Sequence, residues 1–229
     1  MRSHPLSGSR STLSPLSVIR GRAFALGLTM AFLCLLGGCS IGGQAFNRPA
    51  PDRRFYTIDV SRPQSAPPAQ DKTVLKVRPL RISPAYQDRM MVYRMDETRY
   101  VSDYYNAFFV QPAIALTQTT RDWLGRTGIF GNVVDSTSQV MDTHLLEGMV
   151  NFLFADFRDR ANPKAVLEMQ FFLLKNANDA YSVIFSKSYR QEVPFTPTAG
   201  NAGALAEAYA VGLTRILGEL EADLRTVKK

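Results

Sequence analysis

Residues 164–174 have the sequence KAVLEMQFFLL, in which every second residue is apolar. The repeating positions are Ala165, Leu167, Met169, Phe171 and Leu173. Because successive side chains of a β-strand point to opposite faces, this alternation predicts a strand with one face in a core. A long apolar stretch at 145–157 precedes it, and a β-prone stretch at 181–193 follows a turn at 176–179. The three segments predict two successive antiparallel hairpins.

Further strands are predicted upstream, at 54–60, at 74–82 with a break at Pro79, and at 129–134. A hairpin is predicted from 90–95 and 98–101 around a turn at 96–97. Two helices are predicted from apolar residues spaced three and four apart. The second covers 202–225, and the face of the first consists of Phe109, Ala113, Leu116, Thr120, Trp123 and Leu124. This order predicts an α/β domain in which two long helices cover a sheet.

The composition is that of a globular protein: 229 residues, 45% hydrophobic and 21% charged. The two cysteines, Cys34 and Cys39, both lie near the N-terminus, and the two histidines are His4 and His144. A disulfide framework, a cysteine-ligated zinc site and a multi-histidine metal site are therefore excluded from the body of the chain. No cofactor is expected.

The N-terminus has the pattern of an export signal. Residues 1–22 contain four arginines and no acidic residue, and the uncharged run AFALGLTMAFLCLL follows at 23–36. That run is shorter than the roughly 20 residues that a helix needs to span a bilayer. A buried core helix is the alternative, but the preceding arginines and the following Gly/Pro-rich stretch favour a secretory signal.

Leu36-Gly37-Gly38-Cys39 resembles the lipobox of bacterial lipoproteins. The resemblance implies cleavage before Cys39, a diacylglyceryl group on its sulfur and a fatty acid such as palmitate on its new amine. Such double acylation gives a stable membrane anchor. In bacterial lipoproteins, an Asp directly after the acylated cysteine usually retains the protein in the inner membrane. This chain has Ser40 at that position, so the resemblance implies that the protein is anchored in the outer membrane. The domains expected are a signal peptide at 1–38, an acylated cysteine with a flexible tether at 39–53, and one α/β domain at 54–229.

The formal charge of +7 suggests a nucleic-acid partner until the charges are located. Removal of the leader takes four arginines from the 27 basic residues and leaves 23 against 20 acidic ones, a net charge of +3. These basic residues are scattered among acidic ones, so we expect no nucleic-acid binding.

Catalytic motifs are missing from the sequence: it has no G-x-S-x-G, H-E-x-x-H or phosphate-binding loop. His144 has no orienting partner nearby in sequence, so we interpret it as a surface or turn histidine. The acidic pairs Asp96/Glu97 and Asp156/Asp159 fall in predicted turns among arginines, where carboxylates usually cap loops. We therefore expect a non-enzymatic binding protein, with a hydrolase of unrecognised site as a remaining alternative.

Four segments carry a resemblance to a known family: FYTID at 55–59, LKVRPLRI at 75–82, YQDRMMVYR at 86–94 and DYYN at 103–106. They resemble the ABC-type transport auxiliary lipoproteins, the lipoprotein partners of bacterial MCE-type (mammalian-cell-entry) lipid transport systems. The resemblance implies a three-layer α/β domain similar to the N-terminal domain of TolB, with a mixed β-sheet and two main α-helices.

The same resemblance implies a non-enzymatic subunit, anchored in the outer membrane and facing the periplasm, that binds an MCE-domain protein and assists phospholipid transport. A structural envelope lipoprotein that scaffolds another complex or contacts peptidoglycan is the alternative. Because tyrosine and arginine are favoured in interfaces, Tyr86, Arg89, Tyr93 and Arg94 are the predicted partner-binding residues. The alternative for them is a hairpin with a half-buried tyrosine pair. Tyr104 and Tyr105 are candidates for a lipid contact or for packing at the helix entry.

Overall fold

The computed structural model describes residues 52–178, 180–198 and 202–228. The predicted signal peptide, Cys39 and the tether up to residue 51 lie outside these residues. In the described part of the chain, the strands are β1 Arg54–Tyr56, β2 Val74–Val77, β3 Arg81–Ile82, β4 Met90–Arg94, β5 Tyr100–Phe108, β6 Asn132–Asp135, β7 His144–Asp156, β8 Lys164–Ala177 and β9 Ala180–Pro194. The helices are α1 Pro112–Gly125 and α2 Gly203–Val227, and a short 3-10 turn covers Pro84–Tyr86.

Strand β7 organises the sheet, because both of its edges are paired. One edge pairs antiparallel with β8 along nearly the whole strand, and β8 pairs antiparallel with β9. The other edge pairs in parallel with β2, β3 and β4 in succession. Strand β5 is antiparallel to β4, β1 is parallel to β5, and β6 is parallel to β2. The result is one mixed nine-stranded sheet within the described residues.

The alternating apolar side chains of residues 164–174 face the core as predicted. Leu167, Met169, Phe171 and Leu173 are at most 1% exposed. The apolar face of α2 packs on this side of β8 and β9, where Tyr189 Oη donates a hydrogen bond of 2.6 Å to Asp223 of the helix. Burial of such side chains supplies most of the stability of the fold, at roughly 1.5–3 kcal/mol for each large apolar residue.

Helix α1 lies beside α2, and Trp123 Nε1 of α1 donates to Glu221 of α2 at 3.1 Å. The backbone of Leu80 donates to Thr117 of α1 at 2.9 Å, and Leu80 packs on the same sheet face as Phe171. Both helices are therefore on one side of the β7–β8–β9 segment. Side chains that point to its other side, such as Met149 and Phe152, are more than a third exposed.

The α/β prediction, with a mixed sheet and two main helices, is confirmed. Helix α1 differs in one detail, because it begins at Pro112 and leaves the predicted face residue Phe109 outside it, 62% exposed. Strand β5 extends to Phe108, beyond the predicted end at Val101, and its pairing with β4 shifts register between Met90 and Met91. Neither described helix is both long and apolar enough to cross a membrane.

Candidate binding surface

Two of the four predicted partner-binding residues lie together around Phe154. The ring of Tyr86 stacks on Phe154 with centroids 6.1 Å apart, and Tyr100 meets Phe154 edge-on at 5.8 Å. The Arg94 guanidinium lies 5.7 Å from the centroid of the Tyr100 ring. Tyr86 is 6% exposed, and burial raises the pKa of its hydroxyl to about 12. Tyr86 therefore supports this surface from below and Tyr100 forms its outer layer, whereas the Arg94 side chain is only 19% exposed and pairs with Glu97 at 2.9 Å.

The surface continues along the side of β7 to β9 that neither α1 nor α2 covers. Phe152 meets Phe154 edge-on at 5.9 Å, and the Arg190 guanidinium lies 5.4 Å from the Phe152 centroid. Tyr100, Phe152 and Met149 are 44%, 36% and 37% exposed. We call this surface the aromatic face and define it as Arg94, Tyr100, Met149, Phe152 and Arg190. Aromatic residues, methionine and arginine are the types enriched in protein–protein interfaces.

The charges on the aromatic face are balanced. Arg190 forms ion pairs with Glu168 at 3.2 Å and Glu192 at 2.9 Å, and Glu192 also pairs with Lys164 at 3.4 Å. These partners lie on alternate positions of β8 and β9, on the same side of the sheet as Phe152. The balance is typical of the polar surroundings of a protein-binding surface rather than of a basic stripe for nucleic acid.

The other two predicted residues lie elsewhere. Tyr93 is next to Arg94 in the strand and so points to the opposite side, where its hydroxyl donates to Asp103 Oδ2 at 2.6 Å. Burial, followed by this hydrogen bond, raises the pKa of Tyr93. Arg89 precedes β4 and lies 5.6 Å from the centroid of Phe55. The four residues therefore do not form one surface, because Tyr93 points to the opposite side of β4 and Arg89 lies before the strand.

A second exposed cluster surrounds Arg89 at the start of the described chain. We call it the tether patch and define it as Arg53, Phe55, Arg89, Tyr104 and Phe109. The rings of Phe55 and Phe109 meet edge-on at 6.3 Å, and the Arg53 guanidinium lies 4.9 Å from the centroid of Tyr104. Phe55, Tyr104 and Phe109 are 45%, 56% and 62% exposed. Tyr104 was a predicted lipid-contact candidate, whereas Phe109 was assigned to a helix face and Phe55 only to a family segment, although the position of Arg53–Phe55 at the end of the tether was an available signal.

A carboxylate on α2 holds the segment that leads away from the tether patch. Glu221 accepts two hydrogen bonds from Arg62, at 2.9 and 3.1 Å, and one each from Trp123 and Arg225. These donors hold the pKa of Glu221 below its usual value although burial acts in the opposite direction. A groove of about 280 Å³ lies between residues 56–62 and α1, with Trp123 among its lining residues. The network fixes one wall of this groove to both helices.

The residues considered for catalysis have structural partners. His144 is 7% exposed as the first residue of β7, with Nδ1 2.9 Å from Thr143 Oγ1 and its ring against Phe130. The expectation of a surface or turn histidine is therefore wrong. Burial, together with the nearby cations Lys228 and Lys175, lowers the pKa of His144.

The acidic pairs lie with arginines or with loop donors. Asp96 accepts backbone hydrogen bonds from Thr98 and Arg99 at 3.0 and 2.8 Å and pairs with the Arg99 side chain at 3.1 Å. Asp156 pairs with Arg158 at 2.7 Å. Asp159 accepts hydrogen bonds from its own loop, including one from the side chain of Asn162. These contacts lower the pKa of all three aspartates, which keeps them ionised rather than ready to donate a proton. Across the described residues there is no group of three or more side chains that could hold a metal ion.

Comparisons with known proteins bear on the fold. No protein-family model matches the chain, and no curated protein sequence matches it. Protein XCC0632 from Xanthomonas campestris, assigned to family DUF330, is similar with a TM-score of 0.65 and 16% identity, over 76% of this chain and 95% of that one. A second solved structure, of a protein described as uncharacterized, has a TM-score of 0.58 and 12% identity, over 75% of this chain and 98% of that one. At these identities the likeness shows that this chain shares their α/β fold.

Proposed function

We propose that this protein is a lipid-anchored, non-catalytic subunit of an ABC/MCE-type system that transports phospholipid across a bacterial cell envelope. The anchor is the acylated Cys39, and the domain faces the periplasm from the outer membrane. The observation that carries the proposal is the aromatic face, a surface of exposed aromatic, methionine and arginine side chains on a domain that follows a predicted export signal and a lipobox-like segment.

The aromatic face suits a protein partner for two physical reasons. Its exposed rings rest on the buried ring of Phe154, so they are held rigidly and lose little conformational freedom on binding. Its arginines lie over rings, with Arg94 on Tyr100 and Arg190 on Phe152, so they present flat amphipathic surfaces. Preorganised aromatic and arginine residues of this kind are frequent hot spots of binding energy.

The proposed partner is an MCE-domain protein, and this part of the proposal depends on the family resemblance of residues 55–59, 75–82, 86–94 and 103–106. Two of the four predicted partner-binding residues lie at this surface, Arg94 within the aromatic face and Tyr86 beneath it.

Purification of the tagged protein from native membranes tests the proposal. We expect an MCE-domain protein to co-purify, and we expect Phe152→Asp to reduce its recovery by at least about tenfold, because loss of an interface hot spot costs about 2 kcal/mol or more. Met141→Asp is the matched control, since Met141 is 80% exposed and outside the aromatic face.

Two results would count against the proposal. Equal recovery of the MCE-domain protein with Phe152→Asp and with Met141→Asp would exclude the aromatic face as its binding surface. Recovery of peptidoglycan or of an unrelated envelope complex in place of an MCE-domain protein would instead favour the scaffolding alternative.

A further inference from the structure

The tether patch combines exposed aromatic rings with arginines at the point where the described chain begins. Phe55 and Phe109 are in edge contact, and the guanidinium groups of Arg53 and Arg89 lie 5.9 and 5.6 Å from the Phe55 centroid. The Arg53 guanidinium also lies over Tyr104. Three large rings and two cations therefore form one continuous surface outside the aromatic face.

The cations of the tether patch are available to an external anion. Arg53 donates to the backbone oxygen of Tyr104 at 3.0 Å, and Arg89 donates to the backbone oxygen of Phe109 at 3.3 Å. Neither arginine forms an ion pair with any carboxylate in residues 52–178, 180–198 and 202–228, and this includes the neighbouring Asp52 and Asp88. Each guanidinium therefore keeps further donors for a phosphate group.

The position of the patch in the chain favours a bilayer as its occupant. Residues 40–51 separate Cys39 from Asp52, and their Gly/Pro-rich sequence predicts a tether, for which a chain of this length gives an r.m.s. reach of roughly 20 Å. Arg53 follows Asp52 directly and belongs to the patch itself. An acyl group on Cys39 would thus keep the patch within a short distance of the membrane surface.

We propose that the tether patch docks on the surface of a phospholipid bilayer, with its three rings at the headgroup level and Arg53 and Arg89 on lipid phosphates. Aromatic rings are favoured at this interface, and arginine binds phosphate through several donors. The proposal rests on the proposed function for the nearness of the membrane, but the surface itself is independent of acylation.

The docking gives the domain a defined orientation. Strand β5 begins at Tyr100 on the aromatic face and ends at Phe108, next to Phe109 of the tether patch. At about 3.3 Å for each residue, Tyr100 lies up to roughly 13 Å along the strand from Tyr104 of the patch and up to roughly 26 Å from Phe108. A domain docked through the patch therefore holds the aromatic face above the headgroups, where a periplasmic partner can reach it.

Vesicle flotation of the chain from residue 39 onward, with Cys39→Ser, tests the docking without an acyl group. The probes are vesicles of phosphatidylcholine alone and vesicles that also contain phosphatidylglycerol. We expect the C39S chain to float with both, and more strongly with the anionic vesicles. Adding Phe55→Ser and Phe109→Ser should reduce binding to both by at least about tenfold, because about half of each ring is available for burial.

The arginines give a second, separable effect. Arg53→Ala with Arg89→Ala should reduce binding to anionic vesicles about fivefold for each arginine, and should change binding to neutral vesicles much less. Val140→Ser with Met141→Ser is the matched control, since both side chains are exposed outside the patch. Circular dichroism of each variant verifies that the fold is kept.

Absence of vesicle binding by the C39S chain would overturn the inference. The inference would also be overturned if the phenylalanine variant bound vesicles as strongly as the control variant and the C39S parent. The rings of Phe55 and Phe109 would then make no contact with lipid. The C39S chain carries no acyl group, so its vesicle binding does not depend on the proposed anchor. A failure of acylation in the native protein would therefore refute the anchor and leave the vesicle-binding result for the tether patch unaffected.

Discussion

Glu221→Gln tests whether one carboxylate joins the two helices to the segment after β1. The Glu221 side chain is 13% exposed, and its four hydrogen bonds come from the guanidiniums of Arg62 and Arg225 and from the Trp123 indole. Glutamine has nearly the same shape, but it has no charge and replaces one acceptor oxygen with a donor nitrogen. At least one arginine or the indole must then lose its acceptor.

The expected loss of unfolding free energy is about 2 kcal/mol. A hydrogen bond to a charged group contributes about 1.5–3 kcal/mol, and residual exposure of the pair reduces the effect toward the lower part of that range. For a domain of this size, 1 kcal/mol shifts Tm by about 2–4 °C, so we expect Tm to fall by about 6 °C.

Thermal and urea unfolding followed by circular dichroism measure this loss. Glu207→Gln is the matched control, because it makes the same change at an exposed position of the same helix and should alter the unfolding free energy by less than about 0.5 kcal/mol. In a chain that already carries Arg62→Ala, the further change Glu221→Gln should cost much less, since Arg62 and Glu221 act as a pair. If Glu221→Gln unfolds within about 0.5 kcal/mol of the parent, the network does not hold the segment.

Three further changes probe the core and its titration. Gly148→Ala should destabilise the domain by about 1–3 kcal/mol in urea unfolding, because the added Cβ would lie 2.5 Å from Leu80 Cδ2. An unchanged urea midpoint would show that the core around Gly148 is loosely packed. Thr120→Val should raise the unfolding free energy by about 1 kcal/mol, since Thr120 Oγ1 is buried without a hydrogen-bond partner in the described structure. A loss of stability would mean that the Thr120 hydroxyl does form a hydrogen bond in the folded protein. Because burial lowers the pKa of His144, the unfolded state binds a proton that the folded state excludes, and stability should fall as pH drops below about 6.5. Unfolding measured between about pH 6.5 and 5, above the range where carboxylates titrate, should show this slope in the parent and not in His144→Gln.

The sequence predicted those elements whose signal is local. The alternation at 164–174 correctly predicted β8, and the apolar spacing at 202–225 correctly predicted α2. Both patterns could be recognised because each reflects the burial of one face of a single element. Phe109 was assigned to a helix face because its spacing fits, but Pro112 is accommodated best in the first helical turn, so the helix begins there.

Burial that depends on distant segments was not predictable. His144 is buried because Phe130 and Thr143 cover it, and Phe130 comes from the distant loop between α1 and β6. Tyr86 is buried against Phe154, which approaches only because β7 pairs in parallel with β2, β3 and β4 in turn. No periodicity in the sequence indicates that β7 pairs with these three strands in turn. The residues of the aromatic face therefore could not be predicted before the strand order was known.

Mass spectrometry of the N-terminal peptide of the native, membrane-purified protein tests the central claim most directly. We expect the mature chain to begin at Cys39 and to carry a diacylglyceryl group with an added fatty acid, and we expect Cys39→Ala to release the protein from the membrane fraction. An unmodified Cys39 inside a longer chain that fractionates with the cytosol would contradict it.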